Sequence, residues 1–410
     1  MKIALSLEEV SFGGGPKFSL NLAGYLTQVG HDVTVIAEQE GVWWPELSRL
    51  GLKGHAFSFG RCVPNSRRAF EMAAFWNYQR YDAIIINASL LNRVAHLASH
   101  MLDEKTALMT ILHGDWDPLY EMTARDREIW NCAVAVSPRV FEGAVKRVPG
   151  KPVFCIPNGV EIPVEAELAE RRGWASPLRL LFAGRLIDSH KGIFRLPPIL
   201  AECRRRGLPV ALTVIGEGED GTRLESRFAA EGLADMVTMS GRLPPSEIAR
   251  AMRDHHLFLF PTNTEGMPLA VLEAQANGCV VIGTHLPGIT DVAIDDGVTG
   301  RLFAMGDIAG CVDDISDMMV PEVWNRHSVA GIVRSRDLFS IPSMGKRYAE
   351  LLNDLSKERY SVNRPQGRGS VPLVWDDYLP IQLVPHPVMR IAGKARAAVR
   401  RLTGIRQGSR

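Results

Sequence analysis

The chain has 410 residues, of which 46% are hydrophobic and 23% charged, and its formal net charge is +1. This composition is that of an ordinary globular protein, and the length predicts two or three domains whose cores need no disulfide staples. The balanced charge argues against a nucleic-acid-binding protein, which usually carries a basic excess on its binding face.

The N-terminal apolar stretch is interrupted by Glu8 and Glu9, so we expect a first buried strand there and not the core of a signal peptide. No stretch approaches the ~20 apolar residues that a membrane span needs. We therefore expect a cytoplasmic protein, soluble or peripheral on the inner face of the membrane. The cysteines form no CxxC pair and lie at no zinc-like spacing from histidine, which favours reduced structural thiols. They are Cys62, Cys132, Cys155, Cys203, Cys279 and Cys311.

Short apolar runs alternate with amphipathic segments through the first 160 residues. Such alternation predicts βαβ units around a parallel sheet, and runs that are apolar throughout fit strands covered on both faces. A helix is predicted at Lys17–Val29. Strands are predicted at Met1–Leu7, Asp32–Ala37, Asp82–Asn87, Ala107–Leu112, Cys132–Ser137 and Val153–Ile156.

A polar segment, Glu161–Pro177, is predicted to be a linker before a second α/β series. The series predicts a second doubly wound domain. Its strands are predicted at Leu178–Ala183, Val210–Ile215, Val237–Ser240, Leu257–Phe260 and Val280–Gly283. Its helices are predicted at Ile193–Arg206, Gly221–Glu231, Pro245–Arg253 and Leu269–Asn277.

The C-terminal part begins with a predicted amphipathic helix at Met344–Leu355. A flexible break at 364–370 and a Pro-rich stretch at 371–388 follow. Residues 389–410 hold seven Lys or Arg and no acid. This tail is typical either of a basic helix on an anionic membrane surface or of a disordered solubilising extension.

Two cations, Arg185 and Lys191, follow the strand Leu178–Ala183 in the sequence FAGRLIDSHKG. Ligands of open α/β sheets bind outside the carboxyl ends of strands, where fixed cations stabilise charge on a leaving phosphate. Taken alone, the pair is equally typical of ordinary surface cations.

Two acids, Glu265 and Glu273, stand eight positions apart in TEGMPLAVLEAQANG. Gly266 permits close approach of the backbone to a ligand, and Pro268 suits the first position of a helix. The helix N-terminus would then present free N–H groups to a phosphate. Glu273 would lie in the second turn, suited to ribose hydroxyls, although alone it fits an ordinary surface acid.

Two weaker features lie in the first half. Gly13–Gly15 follow the first strand and indicate either an anion-binding turn or a plain tight turn. The sequence HGDWD, at His113–Asp117, has polar residues for a sugar pocket, but a single histidine at a strand end is more often structural.

In this order, FAGR…HKG, VIGEGED, SGRLP, TEGMPLAVLEAQANG and DGVTGRLF resemble the retaining glycosyltransferase family 4. The resemblance covers residues 1–355 and is most specific over 178–303. It implies the α/β GT-B fold, with two Rossmann-like doubly wound domains facing a central cleft. The implied domains are an acceptor-side domain at 1–165, with a helix at 341–363 packing back on it, and a nucleotide-sugar domain at 175–340. Residues 364–410 would form a Pro/Gly-rich segment and the basic tail.

The resemblance also implies roles for particular residues. Arg185 and Lys191 would contact the donor diphosphate, Glu265 would face the transferred sugar, and His113 would lie beside it. Asn158 and Gly159, in PNGV, match a hinge segment, and the SGR turn at Ser240–Arg242 matches the part that reads the base. The implied donor-binding residues are Gly14, Gly15, Arg242, Gly266, Met267, Pro268, Leu269 and Glu273.

The implied activity is transfer of a sugar, of hexosyl type, from a nucleoside diphosphate sugar to a hydroxyl of a saccharide or lipid-linked acceptor, without metal or another cofactor. Members of this family commonly act in polysaccharide, lipopolysaccharide or glycolipid assembly, and the resemblance implies the same for this chain. One departure is Gly15–Pro16–Lys17, where the family often has a small or acidic residue after its glycines. Two alternatives remain open: a nucleotide-sugar epimerase on the same fold, and a catalytically silent subunit that binds nucleotide sugar. A sugar phosphorylase would require a much longer chain.

Overall fold

The computed structural model describes residues 1–11, 13–60, 63–89 and 92–357. By its internal contacts the chain forms two compact units. The first comprises Met1–Ile111, Glu121–Ala133 and the described residues from Leu352 onward, and the second comprises Leu112–Tyr120 and Val134–Leu351.

The first sheet has seven described parallel strands in the order β3-β2-β1-β4-β5-β6-β7. They are β1 (Lys2–Glu9), β2 (Asp32–Gln39), β3 (Lys53–Ala56), β4 (Ala83–Ala88), β5 (Ala107–Leu112), β6 (Cys132–Ala135) and β7 (Val153–Cys155). The central strands form because their apolar runs are covered on both faces; every residue of β4 is buried. The strand order reverses between β1 and β4, so the turn after β1 lies at a topological switch point.

Most helices of the first half bury an apolar face; Trp76 of α3, for example, is 1% exposed. Burial of one large apolar side chain contributes roughly 2–3 kcal/mol. Local caps fix some of the helix ends: Ser137 accepts a hydrogen bond from the Val140 N–H ahead of Pro138. The helices are α1 (Gly14–Gln28), α2 (Trp44–Arg49), α3 (Asn65–Gln79), α4 (Arg93–Ser99), α5 (Asp117–Arg125), α6 (Pro138–Arg147) and α7 (Glu165–Ala169).

The second sheet has six described parallel strands in the order β10-β9-β8-β11-β12-β13. They are β8 (Leu178–Ala183), β9 (Val210–Ile215), β10 (Val237–Gly241), β11 (Leu257–Phe260), β12 (Val280–Thr284) and β13 (Gly300–Phe303). The order reverses between β8 and β11, which pair in parallel at Leu257–Leu180 and Phe258–Leu181. The carboxyl ends of these two strands therefore lie at the switch point of the second sheet.

The second core lies between this sheet and its helices, and it includes Phe182, Leu259, Ile282 and Trp324. The helices are α8 (Asp188–Lys191), α9 (Leu196–Arg205), α10 (Gly221–Ala230), α11 (Pro245–Asp254), α12 (Leu269–Ala276), α13 (Thr290–Ala293), α14 (Ile308–Asp317), α15 (Pro321–Phe339) and α16 (Ile341–Ser356). Two short 3₁₀ turns are at Ile193–Arg195 and Ala234–Met236.

The predicted α/β class and two doubly wound sheets are confirmed, with several local corrections. The segment predicted as a linker contains α7, and two short strands, β3 and β13, were not predicted. The first helix begins at Gly14, three residues before the predicted start, so Gly14 and Gly15 are helical and only Gly13, with φ 156°, precedes the helix.

The sequence predicts reduced structural thiols and no stretch long enough to span a membrane. The cysteines that the structure describes are free, and all of these except Cys155 are buried. Within the described ranges, no helix has the length and apolar character to cross a bilayer. Cys62, the Pro-rich stretch and the basic tail at 389–410 lie outside the described residues.

Candidate functional site

The candidate site lies where the order of the second sheet reverses. Two segments leave the neighbouring strands there: the β8 loop, residues 184–192, and the β11 loop, residues 261–268. Because β8 and β11 are parallel, both segments emerge at the same edge of the sheet. The predicted residues Arg185 and Lys191 lie in the first loop, and Glu265 and Gly266 in the second.

Hydrogen bonds tie the two loops together. The Asn263 side chain donates to the Asp188 carbonyl oxygen at 2.7 Å, and the Asn263 N–H donates to the His190 carbonyl oxygen at 2.8 Å. The Thr262 hydroxyl also donates to the His190 carbonyl oxygen, at 2.9 Å. These bonds hold the turn that carries Lys191 against the β11 loop.

The loop junction is also tightly packed at Gly192, which ends α8 with φ 59°, a left-handed conformation. A Cβ atom here would overlap the Pro261 carbonyl oxygen. Glycine is therefore required both by the backbone conformation and by the close approach of the two loops.

Lys191 and Glu265, 74 residues apart in sequence, form an ion pair with Nζ and Oε1 2.5 Å apart. The side chains retain 20% and 13% exposure, so water screens the pair only partly. The Thr262 hydroxyl oxygen also lies 3.1 Å from the same Glu265 oxygen, which competes with the His190 carbonyl oxygen for its one proton. The ammonium also lies 5.5 Å from the centre of the Phe260 ring. The Lys191 ammonium is thus held in a fixed position with limited access to water.

Arg185 is exposed, and among the described residues no ion pair or side-chain hydrogen bond engages its guanidinium. A guanidinium binds phosphate oxygens through two parallel N–H donors. The β8 loop therefore offers a braced ammonium and an available guanidinium at one edge of the sheet.

The β11 loop leads directly into the N-terminus of α12. Pro268 is the residue before the helix, with φ −76°, and Leu269 is the first helical residue. The prediction that Pro268 occupies the first helical position is therefore off by one, because its ψ of 102° is extended. The Val271 N–H donates to the Pro268 carbonyl oxygen at 3.1 Å. The N–H groups of Leu269 and Ala270 come before this first bond and carry partial positive charge, which suits a phosphate. Glu273 follows in the second turn, as predicted.

Gly266 is buried, and its backbone packs against that of His113. A Cβ atom at Gly266 would overlap the His113 carbonyl oxygen. The structure thus brings His113 to the β11 loop. His113 is partly exposed to solvent, but its imidazole is enclosed by protein. This burial lowers the pKa of His113 to about 4. The imidazole is therefore neutral at pH 7. A neutral imidazole has one nitrogen that donates a hydrogen bond and one that accepts a hydrogen bond from a hydroxyl group.

We expect His113 to take up no proton above about pH 5. Because its folded pKa is lowered from 6.5 to about 4, the unfolded chain binds more protons between these values. This residue's contribution to stability therefore falls as pH falls through that window. An NMR titration of the imidazole resonances, assigned with His113→Gln, measures the pKa. A midpoint near 6.5 would contradict the burial argument.

Asn158 anchors the β11 loop from the segment after β7. It is 4% exposed, and its Nδ2 donates to the Met267 carbonyl oxygen at 3.0 Å. The next residue, Gly159, packs closely against the backbone of Ser340, because a Cβ at Gly159 would lie 2.8 Å from the Ser340 carbonyl oxygen. The Val160 N–H donates to the Phe339 carbonyl oxygen at 2.8 Å. Asn158 thus links the β11 loop to the junction of α15 and α16.

We expect Asn158→Asp to lower the free energy of unfolding by roughly 1–3 kcal/mol, because it removes the donor and places a buried carboxylate against the Met267 carbonyl. Urea denaturation at pH 7 measures the change. The matched control is Asn353→Asp, an exposed asparagine on α16, which should be nearly neutral. Equal stability of the two variants would show that the Asn158 bond contributes nothing.

The loop after β9 lies between the β8 loop and the end of β10, and the Leu186 N–H donates to the Glu217 carbonyl oxygen at 2.9 Å. The Gly216 N–H donates to the Gly241 carbonyl oxygen at 2.8 Å, and the register of β10 shifts at Ser240, a bulge of the kind common near binding sites. Arg242 forms an exposed ion pair with Glu217 at 3.1 Å. The side chain of Arg242 is thus engaged with the adjacent loop.

Gly14 and Gly15 belong to the first unit, at the N-terminus of α1 and at the switch point of the first sheet. Their N–H groups lie in the first turn of a helix of 15 residues, a position that favours anions. The remaining predicted site residues lie in the second unit. The described residues include no group of three or more His, Cys, Asp or Glu placed to hold a metal ion.

Sequence reasoning missed the supporting residues Thr262 and Asn263, and the bond from Asn158. A signal for the first two was present: polar residues directly follow the apolar strand LFLF, at the edge where parallel sheets bind ligands. No local pattern indicates the partner of Asn158, because Met267 is 109 residues away.

Comparisons with known proteins identify the family and the fold of the chain. The family model described as "Glycosyltransferase Family 4" matches residues 12–162, and that described as "Glycosyl transferases group 1" matches residues 177–320. The phosphatidyl-myo-inositol mannosyltransferase of Mycolicibacterium smegmatis is 26% identical over 73% of this chain and 79% of its own length. A phosphatidylinositol N-acetylglucosaminyltransferase chain of Arabidopsis thaliana is 31% identical, but the match spans only 40% of this chain and 37% of that protein.

Solved structures show the same fold at low identity. Anabaena HepE in complex with UDP and glucose superposes with a TM-score of 0.73 at 18% identity, covering 86% of this chain and 100% of that one. Sucrose-phosphate synthase from Thermosynechococcus elongatus superposes with a TM-score of 0.72 at 19% identity, covering 87% and 99%.

Proposed function

Because the chain belongs to glycosyltransferase family 4, of the GT-B fold, we propose that it is a retaining, metal-independent enzyme. It transfers a sugar from a nucleoside diphosphate sugar to a hydroxyl group of an acceptor. Membership of the family makes it a glycosyltransferase; the donor class, the stereochemistry and the metal independence are our proposals.

One observation carries the proposal. Lys191, braced by Glu265, lies in the loop that also carries the available guanidinium of Arg185, and the β11 loop leads into the N-terminus of α12. Cleavage of a glycosyl–phosphate bond leaves negative charge on the diphosphate. Fixed positive groups that need no reorganisation stabilise that charge most in a partly desolvated site. The arrangement therefore suits a diphosphate leaving group.

The chemical step is a displacement on one face of the sugar. The acceptor oxygen attacks the anomeric carbon from the side of the leaving group, and the bond from that carbon to the phosphate oxygen breaks. The acceptor proton passes to the leaving phosphate, so that a nucleoside diphosphate and a glycoside of retained configuration result. The Lys191 ammonium pairs with Oε1 of Glu265, which favours a positioning role for this carboxylate over attack on the sugar.

Two cationic side chains supply the charge that a divalent cation provides in other sugar transferases. We therefore expect the enzyme to be active in the presence of a chelator. Retention of full turnover with EDTA tests this part of the proposal, and loss of turnover that added Mg²⁺ or Mn²⁺ restores would overturn it.

The acceptor is proposed to be a saccharide or a lipid-linked sugar, in polysaccharide, lipopolysaccharide or glycolipid assembly on the cytoplasmic side of a membrane. The names of the relatives support this: two are named for phosphatidylinositol substrates, and another is an amylovoran biosynthesis glycosyltransferase of Erwinia amylovora. Attachment to an anionic membrane surface through 389–410 belongs to the same proposal.

The experiment combines binding with turnover. Thermal unfolding of the full chain is followed with UDP-, GDP-, ADP- and TDP-sugars in EDTA, because a ligand that binds the native state raises Tm by mass action. The best donor is then incubated with the protein, and release of nucleoside diphosphate is measured with and without simple glycosides. Stabilisation by one donor class with acceptor-stimulated release supports the proposal.

The alternatives give different products. An epimerase would convert the nucleotide sugar without releasing nucleoside diphosphate, and a silent subunit would bind the donor without converting it. Either result would overturn the proposed transfer. Stereochemistry is read separately from the anomeric proton of the product by NMR.

A further inference from the structure

Trp116 has an unusually exposed side chain for its residue type. It lies in the segment Leu112–Tyr120, which follows β5, and 52% of its surface is accessible. Tryptophan is a large apolar residue that is highly buried on average, so an exposed indole leaves considerable apolar area in water. The neighbouring residues show whether this exposure comes from a loose loop.

The two acids that flank Trp116 are both held by arginines of α6. Asp115 accepts a hydrogen bond from Arg139 Nε at 2.9 Å, and Asp117 accepts one from Arg147 at 2.7 Å. Individually, exposed ion pairs contribute little to stability. Here one pair on each side of Trp116 fixes the direction of the backbone between them.

Buried contacts hold the same segment more firmly. Tyr120 is 4% exposed, and its hydroxyl donates to Asp115 Oδ1 at 2.8 Å. The hydroxyl end of its ring packs against α6 at Gly143, where a Cβ atom would overlap it. Burial, and the hydrogen bond to Asp115, raise the pKa of Tyr120, so the hydroxyl stays a donor.

The backbone of α6 is itself anchored, since the Arg139 N–H donates to the Gly288 carbonyl oxygen at 3.1 Å. The Trp116 carbonyl oxygen accepts the Leu119 N–H at 3.0 Å, in the first turn of α5. Trp116 is therefore exposed on a rigid support and not on a loose loop.

The position of Trp116 connects it to the candidate site. Three residues earlier, the His113 carbonyl oxygen packs against Gly266 of the β11 loop. The segment that presents the indole is thus the segment that contacts the loop proposed to hold the donor sugar. Trp116 is therefore an exposed aromatic residue three positions along the chain from the contact with the donor loop, a position suited to the molecule that receives the sugar.

We propose that Trp116 is a stacking platform for a pyranose ring of the acceptor. This inference rests on the proposed function and names the acceptor class for the same site. The C–H groups on one face of a pyranose form an apolar surface that matches an aromatic face. A rigid tryptophan supplies such contact area at low cost in conformational entropy.

The test observes Trp116 directly. The full chain is labelled with 5-fluorotryptophan, and its ¹⁹F resonances are recorded with the nucleoside diphosphate of the best donor from the UDP, GDP, ADP and TDP screen. Trp116 is assigned from the spectrum of Trp116→Phe. The probes are methyl glycosides of glucose, galactose, mannose and N-acetylglucosamine, with glycerol at equal concentration as the acyclic control. We expect at least one glycoside to shift the Trp116 resonance in a saturable way, while glycerol does not. If no glycoside shifts it more than glycerol does, the platform is excluded.

Kinetics separate this inference from the proposed function. Trp116→Ala should raise KM for the responding glycoside by about 10-fold, which corresponds to the loss of one good contact, and should change KM for the donor much less. The matched control is Tyr78→Ala, since Tyr78 on α3 is 83% exposed and has no proposed role. Absence of donor turnover in the wild type would contradict the proposed function. Normal donor turnover with an unchanged glycoside KM in Trp116→Ala would contradict the platform alone.

Discussion

Replacement of Lys191 by methionine is expected to lower kcat by about 100- to 1,000-fold, the usual effect of removing one preorganised group that stabilises a developing anion. Methionine keeps much of the length and apolar character of the lysine stem, so it removes mainly the charge. Because the interaction with the phosphate strengthens as the bond breaks, kcat should fall more than the affinity for the donor. Release of nucleoside diphosphate under donor saturation measures the effect.

Two variants serve as controls for this result. Lys53→Met breaks an ion pair of similar length, 2.6 Å to Asp32, outside the site, and should leave turnover unchanged. Glu265→Gln keeps the shape of the partner and releases Lys191 from its ion pair. If Lys191→Met folds normally and turns over at the wild-type rate, the assignment of the diphosphate site is wrong.

Substitution of Gly266 by alanine is expected to reduce kcat/KM for the donor by more than about 100-fold, as displacements of reacting groups by about 1 Å often do. A Cβ atom here overlaps the His113 carbonyl oxygen, which belongs to the backbone and is unable to rotate away. Either the β11 loop, with Glu265 and the start of α12, or the backbone of His113 must therefore move.

The matched control is Gly173→Ala in the same unit, because a Cβ at Gly173 meets no atom within 4 Å. Circular dichroism and the Tm of both variants show whether the fold persists. Near-normal donor kinetics in a well-folded Gly266→Ala protein would contradict the tight packing between the β11 loop and His113.

The central strands were predictable because their signal is local. LRLLFA, VALTVI and LFLF are continuous apolar runs, and β8, β9 and β11 have the predicted bounds. The two missed strands lack that signal. In β3, two of the four residues are exposed and one is glycine, and β13 is only four residues long. Edge strands of this kind carry too little apolar pattern to be recognised.

The candidate site was predictable as a set of residues at one sheet edge, but not as a set of contacts. The sequence indicates that Lys191 and Glu265 each follow a buried strand, since both lie after apolar runs. It does not indicate that they form an ion pair, because side-chain geometry depends on the ties from Asn263 and Thr262 to the β8 loop. The ion pairs that hold the segment around Trp116 were equally impossible to predict, since Asp115 and Arg139 are 24 residues apart. The roles of Glu273 and of the Arg242 turn stay predictions.

The most direct test of the diphosphate site is a crystal structure of the protein with the nucleoside diphosphate of its best donor, grown in EDTA. We expect diphosphate oxygens to bind the Arg185 guanidinium and the Lys191 ammonium near the N-terminus of α12. A nucleotide bound elsewhere, with Arg185 and Lys191 away from the phosphates, would contradict the proposed site.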